Sequence, residues 1–129
     1  MQNARTASWN LEPWLTVSVE YANEGLLRCD VIVDTGFTGW LTLPEAVIRE
    51  LGLAKIGTLP ATVASGETGH FPYYQTRIMW HGRFHWVEVL ESIDQPLLGM
   101  ELLRDNWITI GAWDGGAVVI EEARPERLL

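Results

Sequence analysis

The chain has 129 residues, of which 47% are hydrophobic and seven are tryptophan, and this composition predicts a single domain with one core. Its formal net charge of -8 argues against nucleic acid or an anionic membrane surface as the main partner. Cys29 is the only cysteine, so no intrachain disulfide can form and a reducing compartment is expected. No apolar run approaches the ~20 residues of a membrane helix and none follows residues 1–5, so we expect a cytoplasmic protein without a signal peptide.

The first predicted elements form a β-hairpin that ends at an aspartate. Residues 1–13 are mixed and polar, and we expect them to form an N-terminal arm. From Trp14 onwards apolar and polar residues alternate, which is typical of a half-buried strand. A turn at residues 22–25 and a second strand at residues 26–33 follow. Asp34 therefore stands at the end of a rigid element, which suits a functional group.

The rest of the chain predicts short strands around one or two short helices. Pro44 and Glu45 suit the first turn of a helix that Gly52 ends, and a second short helix begins at Gly99. The predicted strands are residues 40–43, 59–64, 70–74, 75–80, 83–90, 107–111 and 117–121, and residues 122–129 form a C-terminal tail. Together with the hairpin, these elements predict an all-β fold, a small closed β-barrel with one or two short helices.

Three apolar residues lead directly into Asp34, Thr35 and Gly36. A continuous apolar run of this kind predicts a strand that is buried on both faces. An ionised carboxylate at the end of such a strand is costly unless a partner stabilises it. Asp-Thr-Gly also forms tight turns, because glycine accepts positive φ and the Asp and Thr side chains bond to nearby backbone. From the tripeptide alone, a purely structural turn is the favoured interpretation.

The longer segment 31–38 resembles the active-site signature of aspartic proteases, in which apolar residues precede Asp-Thr/Ser-Gly. Phe37 gives the Asp-Thr-Gly-Phe variant of small prokaryotic retropepsin-like proteins. Residues 96–103 resemble the apolar-apolar-Gly segment and short helix near the C-terminus of retroviral-type proteases, and the glycine-rich hairpin between the two segments resembles a flap. The resemblance covers residues 15–120 and implies one lobe of an aspartic endopeptidase per chain, which needs neither a metal nor an organic cofactor.

The chemistry of this family requires two carboxylates around one water molecule. One carboxylate takes a proton from the attacking water, and the other gives a proton to the carbonyl oxygen of the peptide bond. The aspartic-protease pair is itself the standard example of two carboxylates that share one proton. Only Asp34 has the Asp-Thr-Gly context, so the chain itself offers no good second carboxylate. The other aspartates are Asp30, Asp94, Asp105 and Asp114. We therefore expect a homodimer that contributes one Asp34 per chain and acts on a peptide or protein substrate.

The matched positions give the candidate site residues. The resemblance implies that Asp34 is the catalytic acid or base, that Thr35 braces the two active-site loops across the dimer axis, and that Gly36 lets the substrate backbone approach. The flap tip would close over an extended peptide bound as an added strand. Leu98 and Gly99 would support the active-site loop. The substrate-binding candidates are Phe37, Ser65, Gly66, Glu67, Thr68, Gly69, Leu98 and Gly99.

Two positions depart from the retroviral pattern. Met100 and Glu101 stand where retroviral proteases have Arg-Asn, so the ion pair of that arginine is absent and we expect the dimer to be held differently. Phe37 replaces a small residue, and we expect it to narrow or reshape that side of the cleft. The N-terminal arm and residues 117–121 are the candidate dimer segments.

Other functions fit the sequence less well. The three histidines, His70, His81 and His85, have no standard metal-ligand spacing, which favours structural roles. Cys29 is expected to be a small buried hydrophobe, Trp40 is a candidate cleft residue, and most other tryptophans are expected in the core or an interface. The main alternative is a catalytically silent dimeric module that binds peptides or supports assembly, and that keeps Asp-Thr-Gly for its shape.

Overall fold

The computed structural model describes residues 11–62, 68–93 and 95–123. Within these ranges it contains nine strands and two short helices. In chain order they are β1 (Trp14–Glu20), β2 (Leu26–Val33), β3 (Leu41–Pro44), α1 (Glu45–Leu51), β4 (Gly57–Thr62), β5 (Thr68–Trp80), β6 (Arg83–Ser92), β7 (Leu97–Leu98), α2 (Met100–Leu103), β8 (Asn106–Ile110) and β9 (Val118–Glu122). The predicted all-β fold with two short helices is confirmed.

One sheet of seven strands makes up most of the molecule. Its strand order is β1-β2-β7-β3-β6-β5-β4, and β1 also pairs with β5. That second pairing, Ser18 with Met79 and Val19 with Ile78, closes six of the strands into a ring. β4 lies outside the ring and pairs with the first half of β5. The hydrogen-bonded ring is the closed barrel that the strand count predicts.

The apolar run at the end of β2 is buried on both faces, as predicted. The residues of β1 that face the main core are Leu15, Val17 and Val19. Val31 and Val33 of β2 lie in the same core, whereas Ile32 belongs to a second apolar cluster with Phe37. β2 is therefore held from two sides directly before Asp34.

β5 is a single strand of 13 residues, Thr68–Trp80, where the sequence predicted two shorter strands. The strand is continuous because it exchanges partners along its length: β4 pairs with its first half and β6 with its second half. β5 and β6 are joined by a two-residue turn at His81 and Gly82, both with positive φ. This backbone is typical of the tight turns that match the twist of a hairpin.

α1 begins one residue later than predicted. Pro44 has extended backbone (φ -63, ψ 153) and caps the helix instead of forming its first residue, whereas Gly52 (φ 73) ends the helix as predicted. Ile48 and Leu51 of α1 are buried against the barrel. In the described ranges, neither helix combines the length and hydrophobicity needed to cross a membrane. The cytoplasmic location stays a prediction.

β8 and β9 form a hairpin that, within the described residues, belongs to a separate two-stranded sheet. One face packs on the main core through Val118 and Ile120. The exposed large apolar side chains of this hairpin are Trp107, Ile110 and Trp113. These two tryptophans and the exposed Trp86 of β6 are not in the core, so of the two expected locations, core or interface, only an interface remains for them. β9 extends to Glu122, the first residue of the predicted tail.

Two polar contacts hold the β8–β9 hairpin against the tip of the β5–β6 hairpin. The Nε2 atom of His81 lies 2.6 Å from Oδ1 of Asn106. The guanidinium of Arg83 donates to both carboxylate oxygens of Glu122, at 3.0 and 2.9 Å. The hydrogen bond from Arg83 lowers the pKa of the Glu122 carboxyl, because it favours the charged form.

The thiol of Cys29 is expected to be unreactive in the folded protein. Its side chain is buried in the main core, as predicted, and burial raises the pKa of the Cys29 thiol to about 11, with smaller contributions from Glu50 and Asp30. Because the thiolate is the reactive form, we expect modification by an aromatic disulfide at pH 8 to be about 100-fold slower than in denaturing urea. Equal rates with and without urea would contradict this burial.

Candidate active site

Asp34 follows directly on β2 and is fixed through its backbone. β2 and β7 pair in parallel, with Val33 opposite Leu98. The Asp34 N–H continues this ladder and donates to the Leu98 carbonyl oxygen at 2.9 Å. The aspartate is therefore attached to the closed sheet, and its side chain emerges at the end of a buried strand. Its position follows from the apolar run before it.

A tight turn at residues 34–37 orients the carboxylate. The Phe37 N–H donates to the Asp34 carbonyl oxygen at 3.2 Å, and the Gly36 N–H donates to Oδ1 of Asp34 at 2.8 Å. Asp34 is half-buried, whereas Thr35 and Gly36 are exposed. The turn thus exists as the structural interpretation predicted, and it also leaves the carboxyl group in reach of a ligand.

The segment after β7 supports the turn from behind. The Gly99 N–H donates to the Trp40 carbonyl oxygen at 3.0 Å. The Met100 N–H donates to the Phe37 carbonyl oxygen at 2.8 Å, and the Glu101 N–H donates to the Gly39 carbonyl oxygen at 3.0 Å. The first N–H groups of a helix lack partners inside the helix, so this contact satisfies both elements. We name residues 34–39 the Asp34 loop.

Leu98 and Gly99 occupy the supporting positions that the sequence analysis gave them. The side chain of Leu98 is fully buried in the main core. A Cβ atom added to Gly99 would lie 2.4 Å from the Gly39 carbonyl oxygen and 2.7 Å from the Phe37 carbonyl oxygen. Only glycine permits an approach this close. Both residues therefore hold the Asp34 loop, and the Leu98 side chain does not line a surface cleft.

The prediction that Phe37 borders the cleft needs correction. Its side chain is only 1% exposed and lies in the second apolar cluster, together with Ile32, Leu90 and Leu97. The reason is the space that two glycines leave: the ring packs against the positions of Gly39 and Gly99. Phe37 therefore lies beneath the Asp34 loop and not on its surface.

An open cleft of about 820 Å³ separates the Asp34 loop from the β4–β5 hairpin. Its lining residues are Gly36, Thr38, Pro60, Ala61, Thr68, Gly69 and His70. Gly36, Thr68 and Gly69 were predicted, and the structure brings them together across this cleft. Ser65, Gly66 and Glu67 lie outside the described residues.

The cleft residues that the sequence analysis missed lie on the predicted hairpin and on the Asp34 loop. Pro60 pairs with His70 and Ala61 pairs with Gly69, so the cross-strand register brings β4 residues to the cleft beside the glycine. Thr38 follows two residues after Gly36. The sequence could have indicated these residues only through their positions, since Thr38 lies beside the Asp-Thr-Gly motif, and Pro60 and Ala61 lie on a strand of the predicted glycine-rich hairpin. The pairing register of that hairpin cannot be derived from composition.

A second cavity, of about 230 Å³, lies elsewhere and contains Trp40, which was a candidate cleft residue. His81 and His85 also line it, and the Trp40 and His85 rings pack at a centroid distance of 5.7 Å. Among the described residues, no group of three His, Cys, Asp or Glu side chains is arranged to hold a metal ion. Glu101, at one of the two departures from the retroviral pattern, pairs with Arg104 three residues on.

Comparison with known proteins identifies the fold. No family model and no curated protein matches the sequence. The EIAV protease in complex with the inhibitor HBY-793 is 23% identical, with a TM-score of 0.57, and the match covers 73% of this chain and 86% of that protein. A retropepsin-like aspartic protease from Rickettsia conorii is 17% identical, with a TM-score of 0.64, over 95% of this chain and 91% of that protein. The chain therefore has the retropepsin-like fold, as the sequence predicted.

Proposed function

We propose that this chain is an aspartic endopeptidase that works as a homodimer. The observation that carries the proposal is the Asp34 loop. It holds a half-buried carboxylate, oriented by the Gly36 N–H and supported by β7 and α2, and its residues Gly36 and Thr38 line an open cleft. The retropepsin-like fold supports it further, because both similar structures are described as proteases. Each chain supplies one Asp34, so the second carboxylate comes from the partner copy.

Each Asp34 would take one of two roles in the reaction. The ionised carboxylate accepts a proton from the water as the water oxygen attacks the peptide carbonyl carbon, and the protonated carboxyl gives its proton to the carbonyl oxygen. The tetrahedral intermediate then collapses: the carboxyl group that took the water's proton gives it to the amide nitrogen, the other carboxylate takes a proton back from a hydroxyl of the intermediate, and the C–N bond breaks. Two carboxylates that share one proton suit both steps, because one is a base while the other is an acid.

The neighbouring residues would position the substrate. Thr35 would brace the two loops across the dimer axis, and exposed Gly36 would let the peptide backbone approach. Thr68 and Gly69, on the opposite side of the cleft, belong to the candidate flap. A peptide bound in extended form would add a strand to this hairpin, with backbone hydrogen bonds for affinity and side-chain pockets for selectivity.

The β8–β9 hairpin is the proposed dimer surface among the described residues. Its outer face carries Trp107, which lies opposite Glu121, and Ile110 and Trp113 of the same hairpin are also exposed. Three large exposed apolar side chains on one hairpin favour an interaction surface. This surface includes β9, and so it agrees with the prediction that residues 117–121 pair in the dimer. The other candidate, the N-terminal arm, is described only from Leu11 onwards.

The test combines assembly with cleavage. Sedimentation of the wild-type protein at micromolar concentration is expected to give a dimer, and a mixed peptide library incubated between pH 4 and 8 is expected to yield internal cleavage products. A monomer would leave Asp34 without its partner carboxylate and would contradict the proposal. A dimer that binds library peptides and cleaves none would instead support the silent peptide-binding module.

A further inference from the structure

The ring of Phe37 fills a space that two glycines leave empty. A Cβ atom added to Gly39 would lie 2.6 Å from Cζ and 2.8 Å from Cε1 of the ring. A Cβ atom added to Gly99 would lie 2.6 Å from Cδ2 of the same ring. The ring is thus in contact with the backbone on both sides, one side being the Asp34 loop and the other the start of α2.

The contacts of the Phe37 backbone join the same two elements. Its N–H donates to the Asp34 carbonyl oxygen and closes the turn, and its carbonyl oxygen accepts from the Met100 N–H of α2. The residue that closes the turn is therefore also the residue whose ring packs against Gly39 in the Asp34 loop and Gly99 at the start of α2. Side chains packed at this density resist displacement, because any shift opens a void or creates an overlap.

We infer that Phe37 is a positioning residue for Asp34. Its buried ring, packed on Gly39 and Gly99, holds the Asp34 loop in register with α2 together with the backbone hydrogen bonds between them, and so fixes the direction in which the carboxyl group points. The consequence for catalysis rests on the proposed function, whereas the control of loop geometry does not. No contact between Phe37 and a substrate is involved.

Two substitutions separate this packing from general stability. Leucine at position 37 lacks the Cζ and Cε1 atoms that approach Gly39 but remains apolar, and Gly39 does not have positive φ, so its backbone accepts alanine. In the parent protein, we expect Gly39→Ala to reduce the folding equilibrium constant about tenfold or more, because the added methyl overlaps the ring. In a Phe37→Leu background the same change should cost less than about threefold. Equal costs in both backgrounds would overturn the inference.

Amide hydrogen exchange then reports on the loop itself, with or without enzymatic activity. Phe37→Leu is expected to speed exchange of the Gly36 and Met100 N–H groups about tenfold, because the turn and its attachment to α2 open more often. Leu90→Val, which shortens another member of the same apolar cluster, is the control and should leave both exchange rates unchanged. Equal protection of both amides in Phe37→Leu and the parent would overturn the inference.

Kinetics provide the readout that depends on the proposed function. We expect kcat of Phe37→Leu to fall about tenfold while KM changes less than twofold, because a small misplacement of the reacting group costs rate and not binding. Leu90→Val should keep the parent kcat at a temperature where both variants are folded. If the parent protein cleaves no peptide, the proposed function fails, and the exchange data still decide whether Phe37 positions the loop.

Discussion

An equimolar mixture of wild-type and Asp34→Asn subunits is expected to retain about a quarter of the peptidase activity of the same total concentration of wild-type protein, because subunits of a symmetric dimer pair at random. Asp34→Asn alone should lose about 10³-fold in kcat, since it removes a general acid–base group. Asparagine still accepts the Gly36 N–H through Oδ1, so the turn and the dimer should survive. The measurement is peptide cleavage after the two proteins are refolded together in varied ratios.

The shape of this titration tests whether both carboxylates are required. Activity that falls with the square of the wild-type fraction indicates that one asparagine inactivates a dimer. A linear fall would mean that each subunit acts alone, and would contradict the shared-water mechanism. Asp30→Asn is the matched control, because Asp30 lies on β2, the strand that leads into Asp34, and also accepts a hydrogen bond through Oδ1, from Thr16. Mixtures with this variant should keep full activity.

The position of Asp34 could be predicted because it depends on local pattern. The alternation of apolar and polar residues in β1 and the apolar run in β2 predict a hairpin, and the apolar residues of these two patterns are buried as predicted. Asp34 is the first residue after this hairpin. Gly99 likewise indicated the start of a short helix, which the structure has as α2, with Leu102 and Leu103 buried. The spacing of apolar residues predicts a strand or helix reliably when the whole pattern lies within that one element.

The burial of Phe37 could not be predicted, because it depends on contacts between distant segments. In the sequence, Phe37 is a single apolar residue in the Asp-Thr-Gly turn, with no periodic pattern around it. Its burial requires Gly39 and Gly99 to lie on either side of one ring, and those glycines are 60 positions apart in the chain. The cleft residues Pro60 and Ala61 depend similarly on the β4–β5 register. Cross-strand neighbours are defined by pairing, which composition does not specify.

The length of β5 shows the same limit. Local pattern divided residues 70–80 into two strands, whereas the structure has one strand that exchanges β4 for β6 as its partner. A strand continues wherever a partner is present, so its ends follow from tertiary structure. One continuous strand therefore connects Thr68 and Gly69, which line the cleft, with the barrel wall.

Gly99→Ala is expected to destabilise the protein by about 3 kcal/mol, at the upper end of the cost of overfilling a packed site. The added methyl would meet the Gly39 carbonyl oxygen at 2.4 Å and the Phe37 carbonyl oxygen at 2.7 Å. Both oxygens accept hydrogen bonds from α2, so the clash cannot be relieved without breaking the attachment of the Asp34 loop. Urea unfolding at one fixed protein concentration measures the loss, because the stability of the proposed dimer would depend on concentration.

Two comparisons show whether the backbone contact is the cause. Gly69→Ala is the matched control, since its added methyl would find its nearest neighbours at 3.8 Å, in the Phe71 ring, and should change stability by less than about 1 kcal/mol. Phe37→Leu, which should relieve the Gly39→Ala clash, should not rescue Gly99→Ala, because the ring is only one of the three contacts and the other two are backbone oxygens. A loss at Gly99 no larger than at Gly69 would mean that α2 separates freely from the Asp34 loop. In that case the two hydrogen bonds from α2 would not fix the carboxylate, and its orientation would rest on the Gly36 N–H and on the attachment of Asp34 to the Leu98 carbonyl oxygen.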